Sequence, residues 1–168
     1  IWVSEDDAKR AELNPFLADR FKSTEAYRKQ SSRKTTQALS SSPYRFGEIR
    51  HKNKQIGIIV PSVSSENRPD LPCGLVEKNT IVSNLAFIME TTNLEYLSII
   101  GSKLHLVWVG TVCGRLGTGF RYSNTLGWNT FPVPKLTEKN KEDLTQCAEN
   151  ILLARESHFP KTIADLYD

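Results

Sequence analysis

A segment punctuated by glycine and proline, residues 108–134, constrains the fold more than any other part of this chain. Its punctuating residues include Gly114, Gly117, Gly119, Pro132 and Pro134. Glycine allows left-handed backbone conformations and a close approach to a partner, whereas proline cannot continue a helix or a central strand. The segment therefore predicts a glycine-rich loop or hairpin, followed by a strand over residues 125–131 that ends at Pro132.

Two arginines, Arg115 and Arg121, lie among these glycines. The guanidinium group presents five donors in a planar fork, which matches a phosphate group or the major-groove edge of guanine. This combination predicts a loop that contacts nucleic acid. Two alternatives remain open at this point: the arginines of a plain hairpin can be solvated, and Arg121 can pair with an acidic neighbour inside the domain.

Basic residues are concentrated in one stretch, although the net charge of the whole chain is only +3. Residues 20–54 contain many lysines and arginines, Arg50 and Lys52 among them, against only Glu25 and Glu48. A basic stretch of this kind favours a polyanionic partner, because binding releases condensed counterions. A solvated helix face with a flexible loop is the alternative.

The cysteines and acidic residues indicate no catalytic or metal site. Cys73, Cys113 and Cys147 are far apart in the sequence, and they fit free thiols in a reducing compartment. No apolar run is long enough to span a bilayer and no signal peptide is visible, so we expect a cytoplasmic protein without a membrane partner. A metal-dependent nuclease is a weaker alternative. The catalytic core of such a nuclease needs the spacing Glu-x-Lys, whereas Glu77 and Lys78 are adjacent here.

Hydrophobic periodicity and capping residues predict an α+β fold, with a mixed or antiparallel sheet packed against helices and with helical extensions at both ends. The predicted helices span residues 4–22 with a second start at Asn14-Pro15, 24–40, 92–109 with Thr92 as cap, and 138–157 with Thr137 as cap. The predicted strands span residues 56–60, 75–77 and 80–89. His105 lies on the third of these helices, where a structural hydrogen-bonding role is expected.

Residues 115–134 also carry a longer pattern, R-L-x-x-x-[FY]-R-Y-S-N-T-x-x-x-N-T-F-P-x-P. Further matching segments lie before and after this pattern in a compatible order, at residues 64–74, 80–84, 102–109, 151–155 and 163–168. Together they resemble the target-recognition domain of the MmeI-like restriction–modification enzymes, over residues 43–168. The resemblance implies that this chain is a fragment of a larger enzyme, which joins an adenine-N6 DNA methyltransferase to such a domain and often also carries a nuclease.

The resemblance also implies an organisation and a set of partners. Residues 1–42 would be a helical N-terminal extension, residues 43–134 the DNA target-recognition domain, and residues 135–168 the start of a C-terminal helical region. The implied partners are double-stranded DNA and the methyltransferase domain of the same parent chain. S-adenosylmethionine would bind to the parent, and this chain would itself hold no cofactor, metal or catalytic residue. A protein-docking or scaffold domain is the alternative.

Two groups of positions supply base-reading side chains in this family. The first group falls on Gly117, Gly119 and Arg121, and the second falls on Leu85 with Asn84 beside it. Because glycine offers no side chain to a base, either that base pair is not read, or Thr118 or backbone groups act in place of the two glycines. We expect Arg121, with Leu85 packing alongside, to read a purine, most simply guanine through its O6 and N7 atoms.

Phosphate contacts position a protein on DNA without reading its sequence. Serine hydroxyls and a basic side chain in the polar turn before residue 70 suit that role, and they suit an ordinary capped turn equally well. The predicted phosphate contacts are Ser64, Ser65, Arg68, Arg115, Arg50 and Lys52.

Overall fold

The structure, a computed structural model, describes residues 2–47, 55–78 and 80–167. The chain divides into two compact units, residues 1–49 and residues 50–168. Antiparallel sheets and helices at both ends confirm the predicted α+β class. No helix in the described ranges combines the length and the hydrophobicity needed to cross a bilayer.

The first unit is helical. Its helices are α1 (Glu5–Ala11), α2 (Pro15–Lys29) and α3 (Lys34–Ala38), and a 3-10 turn (Leu39–Ser41) follows. The break that Asn14-Pro15 predicted is confirmed, because the Asn14 side chain accepts hydrogen bonds from the Phe16 and Leu17 amides. The predicted continuous helix over residues 24–40 is wrong, since α2 ends at Lys29 and α3 begins at Lys34.

Arg28 shows why part of the basic stretch is structural. Its guanidinium group donates to the carbonyl oxygens of Leu39, Ser42 and Arg45 at 2.7–2.8 Å. These bonds tie the end of the unit back to α2, and they occupy one cation of the basic stretch for which a polyanionic partner was expected. Phe21 is buried in the same unit, with its ring 6.0 Å from that of Tyr44.

The second unit contains two small antiparallel sheets. The first has the strand order β3-β1-β4, formed by β1 (Gly57–Pro61), β3 (Gly74–Val76) and β4 (Ala86–Glu90), with Ile58 opposite Leu75 and Met89. The second has the order β2-β6-β5, formed by β2 (Val63–Ser64), β5 (Gly114–Leu116) and β6 (Gly119–Arg121). β2 was not predicted, because a two-residue strand is defined only by its partner β6.

Two predicted strands need correction. The strand predicted over residues 80–89 begins only at Ala86 and runs to Glu90. The Ser83 hydroxyl accepts the Leu85 amide and forms a turn before it. The strand predicted over residues 125–131 is wrong. Residues Asn124–Trp128 form a π-helical turn that begins at Ser123, whose hydroxyl accepts the Leu126 amide.

The helix predicted over residues 92–109 consists of two helices, α4 (Glu95–Ile100) and α5 (Lys103–Val112). Ser102 separates them, because its hydroxyl accepts the His105 amide and starts α5. Thr92 does not cap α4, which has no side-chain capping bond. The three- and four-residue apolar spacing of this segment predicts a buried face that includes Leu104 and Val107, yet both side chains are exposed.

Helix α6 (Glu138–Glu156) confirms the predicted C-terminal helix, with Thr137 and Asn140 forming a reciprocal capping box. It packs against α4, where the Ser98 hydroxyl donates to the Leu144 carbonyl at 2.5 Å. Arg155 near its end donates to the Cys73 carbonyl and to the Tyr167 hydroxyl of α7 (Ile163–Tyr167). The core lies between these helices and the first sheet, and it includes Ile58, Leu71, Leu97, Ile100 and Val109.

Candidate nucleic-acid interface

Ser62 is the point at which one stretch of chain changes from the first sheet to the second. Its amide and its hydroxyl both donate to the Leu85 carbonyl, at 2.9 Å and 2.7 Å. Its own carbonyl accepts the Tyr122 amide at 2.9 Å. The turn before β4 and the end of β6 are therefore both fixed to the same residue.

The β5–β6 hairpin depends on two glycines for different reasons. Gly117 at its tip has φ of +61°, a left-handed conformation that costs other residues about 1–2 kcal/mol. Gly119 lies against β2, and a Cβ atom there would be 2.8 Å from the Ser64 carbonyl oxygen. A side chain at Gly117 would therefore be strained by the backbone conformation, whereas one at Gly119 would require a change in strand spacing.

Strand register divides the second sheet into an inner and an outer face. Ser64, Phe120 and Arg115 lie opposite one another across the three strands, as do Val63, Arg121 and Gly114. Ser64 is only 3% exposed, so its row forms the inner face. The outer face is formed by Val63, Gly114, Leu116, Gly119 and Arg121, with Leu116 and Gly119 placed there by the alternation of side chains along a strand.

The two arginines of the hairpin are in contrasting environments. Arg115 stacks 4.6 Å from the centre of the Phe120 ring and donates to the Thr118 carbonyl at 2.8 Å. Its Nη1 atom also lies 3.9 Å from a Glu66 carboxylate oxygen. Arg121 is exposed, and its side chain has no hydrogen bond, ion pair or ring contact with any part of the chain that the structure describes. The acidic partner considered for Arg121 is therefore absent from the described residues.

An aromatic cluster supports β6 from the inside. Tyr122, the residue after Arg121, is buried, and its hydroxyl oxygen lies 3.3 Å from Nε2 of His105. The His105 ring is buried and packs edge-on against Phe131 at 4.7 Å and Trp128 at 5.9 Å. Burial lowers the pKa of His105 to about 4 and raises that of Tyr122. The structural role predicted for His105 is confirmed by these contacts.

Comparison with known proteins places this arrangement in a family. A model of the MmeI target-recognition domain matches residues 1–135 of the chain. The chain belongs to the MmeI target-recognition domain family. This match includes residues 1–42 as well as the two sheets, whereas the resemblance seen in the sequence began at residue 43.

Two relatives of this MmeI-family domain are much longer proteins. DNA methyltransferase A of Bacillus subtilis (strain 168) is 36% identical over 168 residues, which is 100% of this chain and 19% of that protein. The solved structure of the Type IIL restriction–modification enzyme MmeI in complex with DNA matches with a TM-score of 0.89 and 32% identity, covering 99% of this chain and 22% of that one. The domain thus spans about a fifth of the length of these relatives.

The positions that the MmeI-family resemblance offered as base readers lie on two connected segments. Gly117, Thr118, Gly119 and Arg121 belong to the hairpin, and Asn84 and Leu85 form the turn that Ser62 binds. Asn84 is exposed, and Leu85 is 72% exposed. The fold therefore joins two groups that are separated by about thirty residues in the sequence. Their contact with DNA stays a prediction.

The predicted phosphate contacts are more dispersed. Ser65 is exposed and Arg68 half-buried in the turn after β2, where the Ser65 hydroxyl accepts the Asn67 amide at 3.2 Å. Burial of Ser64 counts against a phosphate contact for that residue, because its hydroxyl lies beneath the sheet. Arg115 is half-exposed but already holds the hairpin together. Arg50 and Lys52 lie outside the described residues.

Sequence reasoning missed Ser62, Val63 and Leu116. The sequence signal was indirect, since the polar–apolar alternation of Arg121-Tyr122 is typical of a half-buried strand, and such a strand pairs with at least one other strand. The described ranges contain no group of three or more His, Cys, Asp or Glu side chains suited to a metal ion, so they offer no ligands for the metal-dependent nuclease alternative.

Proposed function

We propose that this MmeI-family domain reads the base sequence of duplex DNA in the major groove. It would be the sequence-recognition part of a site-specific adenine-N6 DNA methyltransferase of the restriction–modification type. The observation that carries the proposal is an exposed Arg121 without a partner among the described residues, at the end of strand β6, which Ser62 links to the exposed turn at Asn84 and Leu85. An arginine held at the surface without an internal partner is available to a base edge or a phosphate.

The chemistry of the surface suggests how bases are distinguished. Arg121 presents two parallel N–H donors for guanine O6 and N7, a contact worth about 1–3 kcal/mol of discrimination. The Asn84 amide offers a donor and an acceptor, the pair that matches adenine N6 and N7. Leu85 adds apolar contact beside them. Gly117 and Gly119 leave the hairpin tip without side chains, so Thr118 is the residue there that can reach a base.

Phosphate contacts would come from the rim of this surface. Ser65 and Arg68 lie in the turn after β2, and Arg115 lies on β5 at the other edge of the same sheet. Arg50 and Lys52 remain candidates on sequence grounds alone. These groups would set the register of the protein on DNA and make its affinity depend on salt, because each neutralised phosphate releases counterions.

The methyl transfer itself would take place elsewhere in the parent protein, since relatives are about five times as long as this chain. The methyltransferase part would bind S-adenosylmethionine and transfer its methyl group to a flipped adenine. We infer that the recognition domain contributes neither cofactor-binding nor catalytic residues, and that the whole protein acts in the bacterial cytoplasm, where its DNA substrate is. A nuclease in the same parent would be a further part.

The test uses the parent gene, expressed in a host without DNA methylation, with modified bases read across the genome. We expect N6-methyladenine at one short motif, and Arg121→Ala should relax that motif at one position. Arg10→Ala, an exposed arginine on α1, is the matched control and should leave the motif unchanged. An unaltered motif in Arg121→Ala would remove Arg121 from base reading, and no methylation by a folded parent would contradict the proposal as a whole.

A protein-docking role is the second candidate, and one observation favours it. Leu104 and Val107 lie one turn apart on α5, and both are largely exposed. The two roles differ in their response to salt. Binding to DNA should weaken steeply as the salt concentration rises, whereas docking through an apolar helix face should change little.

A further inference from the structure

Arg121 is flanked on the outer face by two exposed apolar side chains. Val63 lies directly opposite Arg121 on β2. On the other side of Arg121, Gly114 is its opposite residue on β5, and Leu116 lies two residues further along that strand. Val63 is 43% exposed and Leu116 is 57% exposed. Directly opposed residues of antiparallel strands have Cβ atoms about 4.5–5.5 Å apart, and diagonal neighbours are about 7–8 Å apart. Both side chains are therefore neighbours of the arginine.

The rest of the outer face consists of glycine. Gly114 lies opposite Arg121 and Gly119 lies opposite Leu116, and a Cβ atom added at Gly114 would meet nothing within 4 Å. The outer face is therefore a shallow surface with one cation and two apolar groups, and backbone can be approached closely between them. A purely phosphate-binding surface would gain nothing from exposed valine and leucine.

Base edges in the major groove match this combination. Guanine presents the O6 and N7 acceptors that an arginine binds, and a neighbouring thymine presents an apolar 5-methyl group. 5-Methylcytosine carries the same methyl group, whereas cytosine and uracil lack it. A guanidinium group between two aliphatic side chains is thus suited to a guanine that has a C5-methylated pyrimidine next to it.

We propose that Val63 and Leu116 recognise the 5-methyl group of a pyrimidine adjacent to the guanine that Arg121 reads. The inference rests on the proposed function, since it requires the outer face to enter the major groove. It adds two specificity residues and a chemical class of contact, an apolar one, to a surface otherwise described by its polar groups. Thymine is the ordinary source of such a methyl group, and 5-methylcytosine is the modified one.

The experiment measures equilibrium binding of the purified parent protein to duplexes that contain its methylation motif. The guanine is first located by the position that Arg121→Ala relaxes. Each adjacent pyrimidine is then varied in two arms, thymine against uracil and 5-methylcytosine against cytosine, at fixed salt. For the wild type we expect removal of one methyl group to weaken binding by about fourfold, the worth of one buried methyl group.

The variants Leu116→Ala and Val63→Ala decide which side chain makes the contact. At least one should lose the response to the methyl group while still binding the motif, and both should fold, because Val63 and Leu116 are 43% and 57% exposed. Leu104→Ala, an exposed leucine on α5, is the control and should keep the full response. The response of the two arms separates thymine from 5-methylcytosine as the natural contact.

Two results would overturn the inference. A wild type that binds its motif equally well with and without the methyl group would refute it and leave the proposed function intact. So would variants that both keep the wild-type response. Absence of any motif-specific binding would instead contradict the proposed function, and with it the role of Val63 and Leu116.

Discussion

The Tyr122 hydroxyl oxygen lies 3.3 Å from Nε2 of His105, in a buried contact between β6 and α5. Arg121 immediately precedes Tyr122 and faces the opposite side of the strand, toward solvent. The proposed base reader is thus one residue from an anchor that is enclosed by aromatic rings. A side chain mounted on such a strand can be placed more accurately than one at the end of a free loop.

The Tyr122–His105 contact should contribute a measurable part of the stability of the second unit. Tyr122→Phe keeps the ring packing and removes only the hydroxyl, so we expect a loss of about 1 kcal/mol in the free energy of unfolding. Tyr122→Ala removes the ring from the core as well and should cost about 3–5 kcal/mol. Urea unfolding followed by tryptophan fluorescence gives both values. Equal losses in the two variants would show that the hydroxyl carries the whole effect and the ring none.

Stability should also fall in mild acid because of His105. Its pKa is lowered from 6.5 to about 4 by burial, so between these values the unfolded chain binds a proton that the folded chain does not. The free energy of unfolding therefore decreases as the pH falls from about 6.5 toward 4. The full decrease, about 3 kcal/mol, is reached below both pKa values. Urea unfolding at several pH values measures this slope.

Two substitutions separate His105 from other titrating groups. In His105→Gln the slope between pH 6.5 and 4 should be reduced, whatever the stability of the variant at neutral pH. His158→Gln, at an exposed position after α6, should retain the slope. A wild-type slope in His105→Gln would assign the acid sensitivity to another residue.

The glycines of the hairpin should differ in their tolerance of a methyl group. Gly117→Ala places alanine at φ of +61° and should cost about 1–2 kcal/mol. Gly119→Ala should also destabilise, since the new atom meets the Ser64 carbonyl oxygen. Gly114→Ala adds its methyl group in open space and serves as the matched control, with a change within about 0.5 kcal/mol. Thermal unfolding compares the three, and a loss at Gly114 equal to the others would refute this account.

The sequence predicted those elements whose ends are marked by local chemistry. Asn14 and Thr137 start helices through bonds to residues two or three positions away, and such bonds depend on little else. The split at Ser102 was missed because the apolar spacing continues through it, although the serine is itself a capping residue. Periodicity alone does not distinguish one long helix from two short ones.

The site was less predictable because it depends on contacts between distant residues. Trp128 and Phe131 have strand-forming side chains, yet both pack around His105, and the segment between them turns instead of extending. The exposed position of Val63 follows only from its pairing with Arg121. Motif resemblance named the two segments proposed to read bases, whereas their connection through Ser62 required the three-dimensional structure.

Ser62 should act as a positioning residue for base reading. Ser62→Ala removes the hydroxyl bond to the Leu85 carbonyl and leaves the two backbone bonds in place. We expect the turn at Asn84 and Leu85 to be held less firmly, so that discrimination between the motif and a variant base pair falls several-fold, by about 1 kcal/mol. Affinity for unrelated DNA should not change, because the proposed phosphate contacts lie elsewhere. Ser65→Ala is the contrasting variant, since loss of a phosphate contact should weaken binding to all sequences alike. Dissociation constants for the motif, single-pair variants and unrelated duplexes separate the two outcomes, and a uniform loss in Ser62→Ala would assign it to phosphate binding instead.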